Sequence, residues 1–160
     1  MWELEHRDFY KDLEFGEVHE AEVVEFLGKF SNIKQCIPVG KSQMGMDEDV
    51  DAILIYKNGT KQLAEIKTDS RAQITGNLAY EKYSCYRNGG AYTTPGCFAR
   101  TAAPYVYYYV PAERVVHMLD VKRFREVVDY GERQGFKKLY SMGQSAKGFL
   151  YPVDKLYKYG

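Results

Sequence analysis

The chain has 160 residues, with 22 basic against 22 acidic side chains; the length suits one domain over 1–160, and the balanced charge excludes the global footprint of a histone-like binder, leaving only a local patch for nucleic acid. Three cysteines, Cys36, Cys85 and Cys97, are odd in number and form no C-x-x-C pair, which argues against a disulfide framework or a zinc ribbon and fits a reducing, cytoplasmic setting. No run approaches the roughly 20 apolar residues of a membrane span, and the opening "MWELEHRDFY" is charged where a signal peptide needs an apolar stretch.

The first predicted element is a helix over 15 to about 30, with Val23, Val24, Leu27 and Phe30 at helical spacing. About sixteen residues with Pro38, Gly40 and Gly45 follow, holding a short strand around 36–39 and then the acidic run "MDEDVD". Residues 50–56 and 62–67 read as two strands around Asn58-Gly59, a hairpin signal because both residues tolerate positive φ. Residues 77–86 predict another strand, "YVYYYVP" a further one and "VVHML" one more; the crowded tyrosines suit a β-rich core. "DVKRFREVVDYGERQG" predicts a helix with Asp120 as its N-cap, Phe124, Val127 and Val128 on its inner face, and Gly131 or Gly135 near its end. "GFLYPV" predicts a last strand and "DKLYKY" a final turn. The order implies an α/β or mixed α+β fold, a central mixed sheet flanked by helices.

Within this order, "EIKTDSRAQITGN" stands out, since a strand ends there in an acid, one apolar residue and a base. With 13 Glu and 14 Lys a lone Glu-x-Lys is expected by chance, so context has to carry the signal. Glu65 and Lys67 are two apart and share a face of the strand. A two-residue Asn58-Gly59 loop would set Asp51 opposite Ile66 with its carboxylate facing away. A three-residue loop, Lys57-Asn58-Gly59 with Gly59 left-handed, pairs Tyr56 with Thr60 and sets Asp51 opposite Glu65. Only the second register makes a site, and it is the one expected. Two carboxylates side by side then need a shared proton or cation. Oxygen ligands suit Mg²⁺, and Lys67 one step along could hold water or stabilise a phosphorane-like transition state, a set suited to metal-assisted phosphodiester hydrolysis. Glu20 falls on the apolar face of the first helix, where an unpaired carboxylate is costly, and Glu17 lies one turn earlier. The plainer alternatives are a solvated ion pair on the hairpin and two wet glutamates favouring the helix dipole.

"GEVHEAEVVEFL" followed by "DAILIYKNGTKQLAEIK", with Asp51 fourteen positions before Glu65, resembles the PD-(D/E)XK nuclease superfamily, which has the restriction-endonuclease-like fold. Gly16 followed by Glu20 resembles the helix motif of Holliday-junction-resolvase-type members. The "KTD…TGN…E" order in "KTDSRAQITGNLAYEKYSCYRNGG" and the closing "SMGQSAKGFLYPVDKL" are similar to small phage-encoded members. The resemblance implies Asp51 and Glu65 as metal ligands with the Ile66 carbonyl, Lys67 as the catalytic lysine and Glu20 as an accessory acid. It also implies Mg²⁺ as cofactor with Mn²⁺ able to substitute, DNA as partner, a structure-specific, resolvase-like endonuclease activity and a phage origin. Val50 stands where the pattern has proline, and Asp49, two residues before Asp51, leaves the first ligand open between the two.

Among other candidates, Arg71 or Gln73 could contact a phosphate, with Thr68, Asp69 and Asn77 in the same polar segment, which reads equally as a plain loop. Glu81 shares strand parity with Asn77 and could line the cleft, or be an edge-strand charge. His6, His19 and His117 have no metal or triad spacing and read as structural. Arg100, Lys137, Lys138 and Lys147 could form a backbone-binding patch. A homodimer follows only from the geometry of cutting two strands. The competing expectation is a catalytically silent nucleic-acid-binding or assembly protein on the same fold.

Overall fold

The computed structural model describes residues 9–86, 93–135, 139–142 and 146–155. Helix α1 (Phe9–Gly28) is followed by strand β1 (Ile33–Pro38), helix α2 (Gln43–Glu48) and strands β2 (Ala52–Tyr56) and β3 (Lys61–Thr68). Next come α3 (Ala72–Thr75), β4 (Asn77–Tyr86), β5 (Thr93–Pro95) and α4 (Cys97–Arg100). β6 (Tyr105–Val110), β7 (Val115–Asp120), α5 (Val121–Arg133), β8 (Tyr140–Ser141) and β9 (Lys147–Pro152) complete the order. The class is mixed α/β, as the pattern predicts.

Two sheets form where one was expected. The first has the order β1-β2-β3-β6-β7, with β3 and β6 parallel and the other pairs antiparallel. The second has the order β5-β4-β9-β8, so the predicted strand at 77–86 leaves the central sheet. Alternation within a strand says which face is buried but not which sheet it joins. Val106, Tyr108 and Val110 of β6 face a core shared with Leu78, Tyr80, Phe98, Phe124 and Phe149, while the intervening Tyr107 faces α1. On that opposite face Val23 and Leu27 of α1 pack against Ile33, Ala52, Leu54, Ala64 and Ile66, each fully buried Val or Leu contributing about 1.5–3 kcal/mol.

The hairpin takes the three-residue register. Ala52, Ile53, Leu54 and Ile55 pair with Ala64, Leu63, Gln62 and Lys61, Tyr56 N–H donates to Thr60 O at 2.9 Å, and Gly59 has φ +88°. Asp120 caps α5, accepting from Arg123 N–H at 2.9 Å.

Several details differ from the sequence expectation. Phe30 lies beyond the end of α1 and is half exposed. The buried face of α5 is Val121, Phe124, Val128 and Gly131, which leaves Val127 on the exposed flank. Helix α2 occupies the stretch read as a loop and acidic run: Ser42 Oγ accepts from Gly45 N–H at 3.0 Å, and Gly45 packs where a Cβ would stand 1.9 Å from Val39 O. His6, Lys137, Lys138 and most of the terminal "DKLYKY" turn lie outside the described residues. Among the described residues no helix is long and apolar enough to cross a membrane.

Candidate active site

The site forms where the β2–β3 hairpin meets the turn after β1. Asp51 stands one residue before β2. Its N–H donates to Ala64 O at 2.9 Å, and its own carbonyl accepts from Val39 N–H at 2.8 Å and Gly40 N–H at 3.1 Å. Its side chain then acts as one more rung of the sheet: Oδ2 accepts from Ile66 N–H at 2.8 Å. A backbone fixed on three sides leaves that carboxylate little freedom.

Glu65 points from β3 into the same space and is only 8% exposed. Burial, then the charges of Asp51 and Asp49, push its carboxyl up to about 10, and its side chain is hydrogen-bonded to Asp51. Asp51 is also raised, chiefly by burial, although the Ile66 N–H and the Glu65 hydrogen bond oppose the shift. Both shifts favour a proton retained by the pair, on the Glu65 side.

Lys67 is on the same face of β3, since Glu65 and Lys67 pair with Val106 and Tyr108 of β6. Burial opposes its charge, but Cys97, Glu81, Glu65 and Asp69 outweigh it and raise its pKa. The Cys97 thiol is itself pushed up to about 12 by burial. Glu81 Oε2 is 3.8 Å from Lys67 Nζ.

From the other face, α1 brings Glu20 to the edge of the pair. Its carboxyl is raised to about 7 by burial, by Asp51 and by Glu17, with Lys41 pulling the other way. Glu20 and Asp51 meet above Gly40: a Cβ there would stand 3.2 Å from Asp51 Oδ1 and 3.6 Å from Glu20 Oε1. A cavity of about 460 Å³ opens at this point, lined by Glu17, Glu20, Gly40, Lys41 and Asp51 among others.

The remaining predicted residues are placed as follows. Glu17 is more than half exposed and pairs with Lys41 at 3.7 Å. Asp49 is not on the β2 face: it ends α2 in a left-handed conformation, φ 52°, with Arg100 Nε 3.7 Å from its buried Oδ2. It still bears electrostatically on Asp51 and Glu65. Arg71 precedes α3 and is exposed, and Gln73 Nε2 donates to Ser70 O. Asn77 opens β4 opposite Pro152. Asp69 accepts from Arg71 and Ala72 N–H and from the Tyr108 hydroxyl, so this segment is ordered structure and not a plain loop. Glu81 is not an edge charge either, because β4 is an inner strand. Arg100 is drawn to Asp49, and Lys147 opens β9. Among the histidines, His19 pairs with Glu22 at 3.2 Å and His117 is buried in β7.

Sequence reasoning did not find three contributors to the site. Gly40 makes room for two carboxylates but reads as an ordinary loop glycine; Lys41 balances Glu17 and Glu20; Cys97 lies buried beside Lys67.

No protein-family model matches the chain, and no curated protein matches it. Among solved structures the chain is similar to D212, a nuclease from a fusselovirus, at 12% identity and a TM-score of 0.38, with 91% of this chain and 82% of that chain covered. At that level the likeness carries no argument.

Among the described residues no group of three or more His, Cys, Asp or Glu side chains is placed to hold a metal ion. The site offers a smaller oxygen set: the buried Glu65 and half-buried Asp51 carboxyl groups, forced together, which otherwise favour keeping a proton. That donor set fits a hard divalent cation whose shell is completed by backbone and water, and not zinc.

Proposed function

We infer that this chain is a Mg²⁺-dependent nuclease of the PD-(D/E)XK type acting on DNA. The observation that carries the reading is the largely buried Asp51–Glu65 pair with a charged Lys67 one step along the same face as Glu65. An exposed ion pair would need neither the burial nor the backbone clamp on Asp51. The sequence resemblance, carried in part by these same residues, supports the same reading.

Asp51 and Glu65, with the Ile66 carbonyl, would hold the ion; Mg²⁺, when bound, supplies Lewis-acid stabilisation of charge at a phosphodiester, and Mn²⁺ has the coordination chemistry to replace it. Lys67 keeps its proton on Nζ and presents that charge to the phosphate or to the attacking water. Glu20, raised to about 7, is poised to hold or release a proton at its carboxyl near neutral pH, as an accessory acid requires. The cavity between α1 and Gly40 leaves room for a substrate to approach Asp51. A junction or other branched DNA as substrate and a homodimer as the working form belong to the same proposal.

Binding of the ion is the test of the site. Calorimetric titration with Mg²⁺ should show binding to the wild type that is lost in Asp51→Asn and Glu65→Gln. Undiminished binding by both variants would show that the ion is held elsewhere. Binding of DNA without Mg²⁺ binding or cleavage would favour the silent DNA-binding protein.

A further inference from the structure

Among the described residues, the second sheet brings Glu81 to the site, and its backbone is built around that delivery. β4 bulges against β9 between Glu81 and Tyr83, and against β5 between Tyr83 and Cys85. A bulge re-aims the side chains beside it. On both flanks of Glu81 the neighbouring chain approaches too closely for any side chain. A Cβ on Gly96 would stand 2.1 Å from Glu81 O, and one on Gly148 would stand 2.0 Å from Tyr80 O and 2.9 Å from Glu81 Cα. Gly96 N–H also donates to Lys82 O at 2.8 Å. The adjacent cation does not compete for Glu81, because Lys82 Nζ turns to Glu132 of α5, at 2.7 and 2.9 Å from its two oxygens. Glu81 is left facing Lys67 at 3.8 Å, with both side chains mostly buried.

We propose that Glu81 is a positioning residue that holds the Lys67 ammonium beside the Asp51–Glu65 pair without letting it collapse onto that pair; this rests on the reading of the site as a nuclease centre. A lysine head on a four-carbon stem has about 2 kcal/mol of rotamer entropy to lose before its position is defined, and a fixed anion supplies the restraint. The other carboxylates that bear on Lys67 are Glu65 and Asp69. Without Glu81 the ammonium would be free to swing toward the Asp51–Glu65 pair and stand in the space that a divalent ion needs. The 3.8 Å separation is an ion pair too long for a direct hydrogen bond, so the N–H donors of Lys67 stay available for a phosphate. The second sheet is thereby the carrier of a counter-charge for the lysine as well as one wall of the core.

The test compares wild type with Glu81→Gln and Glu81→Asp, with circular dichroism and thermal melts confirming that each is folded. In metal-free protein, the Lys67 ammonium is observed by NMR through its Nζ and Cε nuclei, with Lys67→Ala assigning the signal. A restricted ammonium is expected in the wild type, a mobile or shifted one in Glu81→Gln, and intermediate restriction in Glu81→Asp. In single-turnover cleavage with Mg²⁺, Glu81→Gln should be about 10- to 100-fold slower, Glu81→Asp should recover part of the rate, and DNA affinity in EDTA should be unchanged in both. An unchanged ammonium signal in Glu81→Gln overturns the proposal whatever the protein does to DNA. A released ammonium with an undiminished cleavage rate overturns the positioning role in the reaction. A wild type that cuts no DNA defeats the nuclease reading separately, and the ammonium signal still decides what Glu81 does to Lys67.

Discussion

Replacing Glu65 by glutamine should make the metal-free protein more stable at neutral and alkaline pH, an unusual result for a residue this buried. Glu65 in the folded chain holds its proton up to about pH 10, against an ordinary value of 4.5. A carboxyl whose folded pKa is raised binds its proton more tightly when folded. Its contribution is complete below the unfolded pKa and is lost as pH rises toward the folded one. Between pH 6 and pH 8 the unfolded chain carries an ionised Glu65 and the folded chain a protonated one. At 1.36 kcal/mol per pH unit, stability should fall by about 3 kcal/mol across that window. Glu20, raised to about 7, steepens the same slope at its acidic end. Glutamine carries no titrating proton, keeps an N–H to donate to Asp51, and should remove the Glu65 part of the slope. Urea unfolding in EDTA at pH 6 and pH 8, followed by circular dichroism, measures it for both proteins. Equal pH dependence in wild type and Glu65→Gln would refute the shared proton. For Mg²⁺ the sign is opposite, because the ion must displace that proton: affinity should rise with pH, by up to about tenfold per unit.

Gly40→Ala places a methyl 3.2 Å from Asp51 Oδ1 and 3.6 Å from Glu20 Oε1; it should weaken Mg²⁺ binding by calorimetry while changing global stability by no more than about 1 kcal/mol. Tyr108→Phe removes the hydroxyl that donates to Asp69 and accepts from Ala79 N–H at 3.0 Å. It should cost about 2 kcal/mol in denaturant unfolding, since partners in a largely buried region are left unsatisfied; a loss within measurement error would show that water replaces the hydroxyl.

The β2–β3 hairpin within the central sheet was legible because its signals are local. Asn58-Gly59 supplies the turn, alternation supplies the face, and the two together put Asp51 beside Glu65. Helix α5 was legible from Asp120 and its apolar spacing, except that Val127 sits one position off the buried stripe. The second sheet was not legible. Leu78 and Tyr80 in β4, and Phe149 and Tyr151 in β9, show a buried face, but nothing local says that the two strands pair with each other. Helices α2, α3 and α4 span six, four and four residues, too few for a 3.6-residue period to declare itself. At the site, the acids and the lysine could be found from strand parity. The left-handed turn of Asp49, the space above Gly40 and the approach of Glu81 from another sheet depend on contacts distant in sequence.

The most direct measurement is cleavage of a labelled panel of single strand, duplex, flap and four-way junction in Mg²⁺, Mn²⁺ or EDTA, with wild type beside Asp51→Ala and Lys67→Ala. The account predicts cleavage by wild type in either metal, none in EDTA, and loss of cutting in both variants while they remain folded. Cleavage that persists in EDTA, or in both folded variants, would contradict it.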